Sequence, residues 1–184
     1  PVVSLADPRV PAATGAGEHR AAGVFRDVIK LGRLPRAGDE SRRLAECLSG
    51  GTEWLLLDDR ASEQGLKAAP LADFSLIHLA AHAVIDEENP QRSAVVLAAS
   101  TDGEDGLLQV PEIAELGLKD QAVILSTCNS ARGKLLEGEG NLSLSRAFIQ
   151  AGARAVLGNL WRVRDDEGLA FVTRLGEELA DGKS

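Results

Sequence analysis

Runs of apolar residues and their spacing divide the chain into alternating strands and helices. Apolar stretches at 2–5, 53–57, 76–80, 122–125 and 155–161 read as strands, the run Ala122-Val123-Ile124-Leu125 as a buried one. Between them apolar residues recur at helical spacing: Val24, Val28 and Leu31; Leu44, Cys47 and Leu48; Leu144, Ala147, Phe148 and Ala151; Val172, Leu175 and Leu179. These sets predict helices over 21–31, over 41–48 after a turn at 34–40, from an Asn141 cap to a Gly152 stop, and at the C-terminal end. Two shorter helices are predicted, one over 62–69 that halts at Pro70 and one from Pro111 to Leu116. A β-branched stretch at 93–98, the turn signals Asp102-Gly103 and Asp105-Gly106, and the run 107–110 predict a small hairpin. Strands alternating with helices make an α/β sandwich, with a mostly parallel sheet of about six strands and a small antiparallel addition.

Composition narrows the picture. At 184 residues, 44% hydrophobic and 26% charged, the chain is sized and composed for a single domain that needs neither disulfides nor a metal to hold a core. It starts at Pro1 and contains no methionine, which suggests a fragment of a larger multidomain chain. Two cysteines, Cys47 and Cys128, are fewer than a disulfide-stapled secreted domain carries, so a reducing cytoplasm is expected. Cys47 shares an apolar helix face and reads as a packing residue. No apolar run is long enough to cross a membrane. The net charge of −8, with 3% aromatic residues, argues against nucleic acid as a partner, because phosphate binding needs clustered positive charge and single strands need stacking platforms. The acidic clusters Asp86-Glu87-Glu88, Asp102-Gly103-Glu104-Asp105 and Asp165-Asp166-Glu167 read as solvated loops, or as recognition of a basic group on a substrate.

Candidate chemistry sits at two strand ends. The strand 122–125 runs through Ser126-Thr127 to Cys128, and the strand 76–80 runs to His82. If the two strands are parallel neighbours, thiol and imidazole emerge at one sheet edge, where α/β proteins bind ligands and where a histidine can take a thiol proton. Taken alone, Cys128 also fits a small buried structural residue. His78 and His82 are four apart, but Leu79 follows His78 where a zinc peptidase needs glutamate and the run is strand-like, so no metal site is expected. Gly182-Lys183-Ser184 lacks the first glycine of a phosphate loop, since Glu177 stands there. No G-x-G-x-x-G opens a helix, and no cofactor is expected.

The ordered motifs Leu34-Pro35 to Glu40, His78-Leu79-Ala80-Ala81-His82, Pro90-x-x-Ser93, Asp105-Gly106-Leu107-Leu108, Leu125-Ser126-Thr127-Cys128, Glu139-Gly140, residues 143–153 and Leu160-Trp161-Arg162-Val163-Arg164-Asp165 resemble the CHAT domain. That family groups with caspases, separase and gingipains. The resemblance implies a caspase-like three-layer sandwich and a cysteine endopeptidase that hydrolyses peptide bonds in a protein substrate. By position, His82 matches the catalytic histidine and Cys128 the nucleophile, with backbone N–H groups of Ala83 and Cys128 as the oxyanion hole. The family usually has glycine where Ala83 stands; alanine keeps the N–H but resists positive φ. Asp165 or Asp166 would favour a basic residue before the scissile bond, while Asp165 also fits a helix cap. Sequence names no third catalytic group. The family often joins this domain to tetratricopeptide or other sensor repeats, in the same chain or a partner, and the glycine-rich segment from Gly133 to Gly140 is a candidate for an ordering loop. A catalytically silent interaction or signalling domain is the alternative.

Overall fold

The computed structural model describes residues 1–10, 31–48, 53–86, 88–100, 103–127, 140–159 and 163–182. Residues 21–30 of the helix expected over 21–31, Cys128, the segment 133–139 and Trp161 lie outside the described residues, and Leu31 is not helical.

Strands β1 (Val2–Ala6), β2 (Glu53–Leu57), β3 (Leu76–Ala80), β7 (Ala122–Leu125) and β8 (Ala155–Gly158) form one parallel sheet in the order β2-β1-β3-β7-β8. Strands β4 (His82–Val84), β5 (Ala94–Val96) and β6 (Leu107–Gln109) form a separate antiparallel sheet. The helices are α1 (Ala37–Leu48), α2 (Glu63–Ala68), α3 (Val110–Ala114), α4 (Gly140–Gln150) and α5 (Asp165–Ala180). Both chemistries of the sequence pattern are present, a buried parallel sheet and an antiparallel addition.

Strand periodicity sorts the core into two layers. Val3, Leu5, Ile77, Leu79, Val123 and Leu125 pack with Leu66, Ile113, Leu144 and Phe148 on one face. Val2, Leu76 and Ile124 pack with Leu44, Ala45 and Val172 on the other, which places α1 and α5 together there. Ser4 and His78 fall between the residues of this second set, on neighbouring strands in register with each other and with Ile124. Two strands thus present a buried polar row to α1.

Several elements depart from the expected bounds. The helix predicted from 41 begins at Ala37, since Asp39 and Glu40 lie in its first turn where the helix dipole favours acids. That shift of one turn brings Glu40 onto the buried face. Helix α4 starts at Gly140, so Asn141 lies inside its first turn. The last helix is capped at Arg164, which puts Asp165 at its first position. Cys47 is a free thiol packed near Gly176 of α5, in keeping with a packing role. No described helix is long and apolar enough to cross a membrane.

Candidate active site

His82 opens β4 and does not trail from β3 into a loop. Ala81 alone separates the two strands, so the chain passes at this point from the parallel sheet to the antiparallel one. The register Leu79↔Leu125 makes β3 and β7 adjacent and parallel. The segments that lead to His82 and to Cys128 therefore leave neighbouring strands at the same edge.

The imidazole of His82 is buried, and its Nε2 lies 2.7 Å from the carbonyl oxygen of Gly32. A carbonyl only accepts, so Nε2 carries the hydrogen and donates it. That leaves Nδ1 as the basic nitrogen of the neutral ring. Nδ1 is buried and has no partner among the described residues. A buried, unsatisfied ring nitrogen is costly in a core and is the state required of a general base.

Ala83, the next residue, pairs with Val95 in extended β4 and is not among the residues with positive φ. Alanine in the place of the family's usual glycine therefore brings no backbone strain here.

A second polar cluster lies behind the same edge. His78, fully buried, has Nε2 2.9 Å from Glu40 Oε1 and 3.2 Å from Ser126 Oγ, while Nδ1 lies 2.7 Å from Ser4 Oγ. Ser4 Oγ in turn donates to Ser41 Oγ at 2.7 Å. The row Ser4–His78 and the first turns of α1 thus hold Ser126, two residues before Cys128. Satisfied networks of this kind fix a geometry, because each member is expensive to leave unpaired.

Beyond Ser126 a cavity of about 380 Å³ opens between α1, α5 and the ends of β7 and β8. Its walls are apolar, with Leu34, Ile124, Leu157, Phe171 and Val172, and its charged lining consists of Glu40, Asp165 and Glu167. Asp165 Oδ2 accepts the backbone N–H of Arg36 at 3.1 Å. Asp166 lies outside the lining, on the surface, where hydrogen bonds from the Arg164 guanidinium hold its carboxyl below the usual range.

The family model of the CHAT domain matches residues 3–184. The chain belongs to the CHAT-domain family. Comparison with curated proteins finds no match. The CHAT domain is related to the caspase-like peptidases, and the parallel central sheet with flanking helices is consistent with a caspase-like sandwich.

In this CHAT domain the sequence-derived positions fall as follows. His82 and Ala83 are adjacent on β4, Asp165 lines the cavity beside Ser126, Asp166 points away, and Cys128 lies outside the described residues. Sequence reasoning missed Gly32, because a backbone carbonyl carries no side-chain signature. It also missed Glu40, whose signal was present: a carboxylate four residues before Leu44, on the apolar stripe of α1.

One cluster of the CHAT domain has the outline of a cation site. Carboxylate oxygens of Glu63, Glu104 and Glu112 lie within 4.8 Å of one another. Lys67 Nζ, however, donates to all three, at 3.2, 2.9 and 3.2 Å, and supplies the positive charge that a metal would bring. The Glu63 side chain is fully buried. Burial first, and then the neighbouring Glu112 carboxylate, raises its pKa to about 7 against the opposing pull of Lys67. Below about pH 4.5 this carboxyl is protonated in both folded and unfolded chains, and above about 7 it is ionised in both, so the folded state bears the full penalty only at the higher pH. Stability should accordingly fall between these limits, by an amount on the order of 3 kcal/mol from this group. Urea unfolding across about pH 5 to 8 should show a flatter profile for Glu63→Gln. An unchanged slope would remove Glu63 as the source.

Proposed function

We propose that this CHAT domain is a cysteine endopeptidase, with Cys128 as nucleophile and His82 as general base. The observation that carries this reading is the state of His82: one nitrogen is held by a carbonyl, the other is buried with no partner among the described residues, and the strand before His82 pairs with the strand before Cys128. In the first step His82 Nδ1 takes the thiol proton and the Cys128 sulfur bonds to the scissile carbonyl carbon. Backbone N–H groups at Ala83 and Cys128 receive the oxyanion. Collapse breaks the C–N bond, the amine leaves with the proton from Nδ1, and water then cleaves the thioester and returns the free thiol. The Gly32 carbonyl accepts from Nε2–H throughout, so the imidazolium that forms keeps that N–H paired while Nδ1–H is the one it gives to the leaving amine.

The cavity supports a preference for a basic residue before the scissile bond. Its apolar walls suit the methylene stem of arginine or lysine, and Glu40, Asp165 and Glu167 offer charge to the head group. Sensor or repeat domains, in the same chain or a partner, would govern access.

The test is alkylation of Cys128 by iodoacetamide as a function of pH, with Cys47 as internal control. A free thiol titrates near about 8.5, and a histidine partner lowers that by several units. Expected is a thiolate at Cys128 already at neutral pH, lost in His82→Ala. Alkylation of Cys128 with the pH dependence of a free thiol would sink the assignment.

A further inference from the structure

The Gly32 carbonyl orients His82, yet a Cβ built on Gly32 meets no atom of the described residues within 4 Å. Among the described residues, the contacts that hold that carbonyl come from its chain neighbours. Leu31 packs against the cluster of Val84, Ala94 and Val96 on the antiparallel sheet, and Leu34 is buried with Ala6, Ala37 and Ala80 at the end of the parallel one. The two leucines anchor the segment at both ends, but apolar contacts are non-directional and do not set the rotation of the peptide between them.

Directional contacts come from Arg33. Its Nε donates to both oxygens of Asp7, at 2.9 and 3.0 Å, and its Nη2 bonds to Asp7 and to Asp58. Asp7 Oδ1 also accepts the Leu34 backbone N–H at 2.9 Å, so one carboxylate grips the Arg33 side chain and the following peptide together. Asp7 and Asp58 follow the last residues of β1 and β2, and both have positive φ, +47° and +55°. Asparagine and aspartate tolerate that conformation better than most residues, though at some cost. Asp7 is tied further to β3, because its N–H donates to the Ala80 carbonyl at 3.1 Å. The guanidinium thus spans the ends of adjacent strands with a rigid fork, and its two aspartates turn toward it.

We propose that Arg33 is a positioning residue for the histidine: by clamping onto Asp7 and Asp58 it fixes the Gly32 carbonyl against His82 Nε2–H, and so keeps Nδ1 free as the base. This proposal rests on the reading of His82 as the base of a peptidase. Its physical content is narrower, namely that a surface guanidinium controls the hydrogen bond of a buried imidazole two contacts away. Lysine would keep the charge but lose the fork, since an ammonium cannot bind the two carboxylates in a fixed plane.

Two readouts on Arg33→Ala and Arg33→Lys test it. The first is the imidazole region of the ¹H–¹⁵N spectrum, in which the Nε2–H of His82 should be protected from exchange in the unmodified protein and exposed in Arg33→Ala. The second is the pH midpoint of Cys128 alkylation, which should rise by about one unit in Arg33→Ala as the imidazolium loses a charge-assisted partner. Arg33→Lys should restore part of that shift, and Cys47 should be unmoved in every variant. A folded Arg33→Ala whose imidazole signal and midpoint match the unmodified protein overturns the proposal. If Arg33→Ala does not fold, Arg33→Lys decides: a shift in the same direction supports the clamp, and none overturns it. Should Cys128 prove unreactive in the unmodified protein, the peptidase reading fails by itself, while the imidazole signal still judges the clamp.

Discussion

Peptide hydrolysis after arginine or lysine should fall by about 10³-fold in His82→Ala, the loss expected when a positioned general base is removed. The size follows from the arrangement at the ring. Without the imidazole the ring nitrogen that carries no hydrogen is gone, and the Gly32 carbonyl is far too weak a base to replace it. Cys128→Ala should lose at least as much, and the two changes together should cost little more than either alone, because nucleophile and base act as a unit. Steady-state hydrolysis of fluorogenic peptides bearing Arg or Lys before the scissile bond measures all three variants. A His82→Ala rate within tenfold of the unmodified protein would remove His82 from the proposed mechanism.

The largest effect on stability should come from Gly152→Ala. Gly152 closes α4 with φ of +107°, and its N–H donates to the Ile149 carbonyl at 3.0 Å. A Cβ there would stand 2.2 Å from the Leu118 carbonyl oxygen and 3.0 Å from the carbonyl carbon, both backbone atoms that cannot turn aside. The Gly152 carbonyl meanwhile accepts from Asp120 N–H, itself at positive φ, so the helix end and the loop before β7 are locked together. Strain from φ and the backbone clash add, and a loss above about 4 kcal/mol is expected. Thermal or urea unfolding would show it, and a loss below about 1 kcal/mol would mean that the loop yields more readily than its hydrogen bonds indicate.

Much of the parallel sheet was readable because burial on both faces leaves continuous apolar runs at 76–80 and 122–125, which match β3 and β7, while 53–57 matches β2, an edge strand with Trp54 exposed. The stretch 107–110 likewise foretold an antiparallel strand. Where reading stopped short, a tertiary contact had overruled a local signal. Residues 37–40 look like a turn because Pro35 and Gly38 punctuate them, yet the helix forms there since Glu40 finds a buried partner in His78. Within its apolar run His78 carries no local sign of a role; that role appears only when Ser4, Glu40 and Ser126 arrive from three other segments. Leu5 and Leu79 could be placed in the core from pattern alone, whereas Gly32 could not be placed at the site, because what it contributes is a main-chain atom.

The register of the two central strands also makes chain length a measure of position. Leu79 stands opposite Leu125; His82 follows Leu79 by three residues, and Cys128 follows Leu125 by three. The two arms are equal, and each spans at most about 10 Å of extended chain. Surface loops of this domain can lengthen at small entropic cost, but one residue added to 80–81 or 126–127 would offset one arm by up to about 3.5 Å. These two dipeptides should therefore be the places where the domain least tolerates insertion or deletion, although neither contains a residue that would enter the reaction.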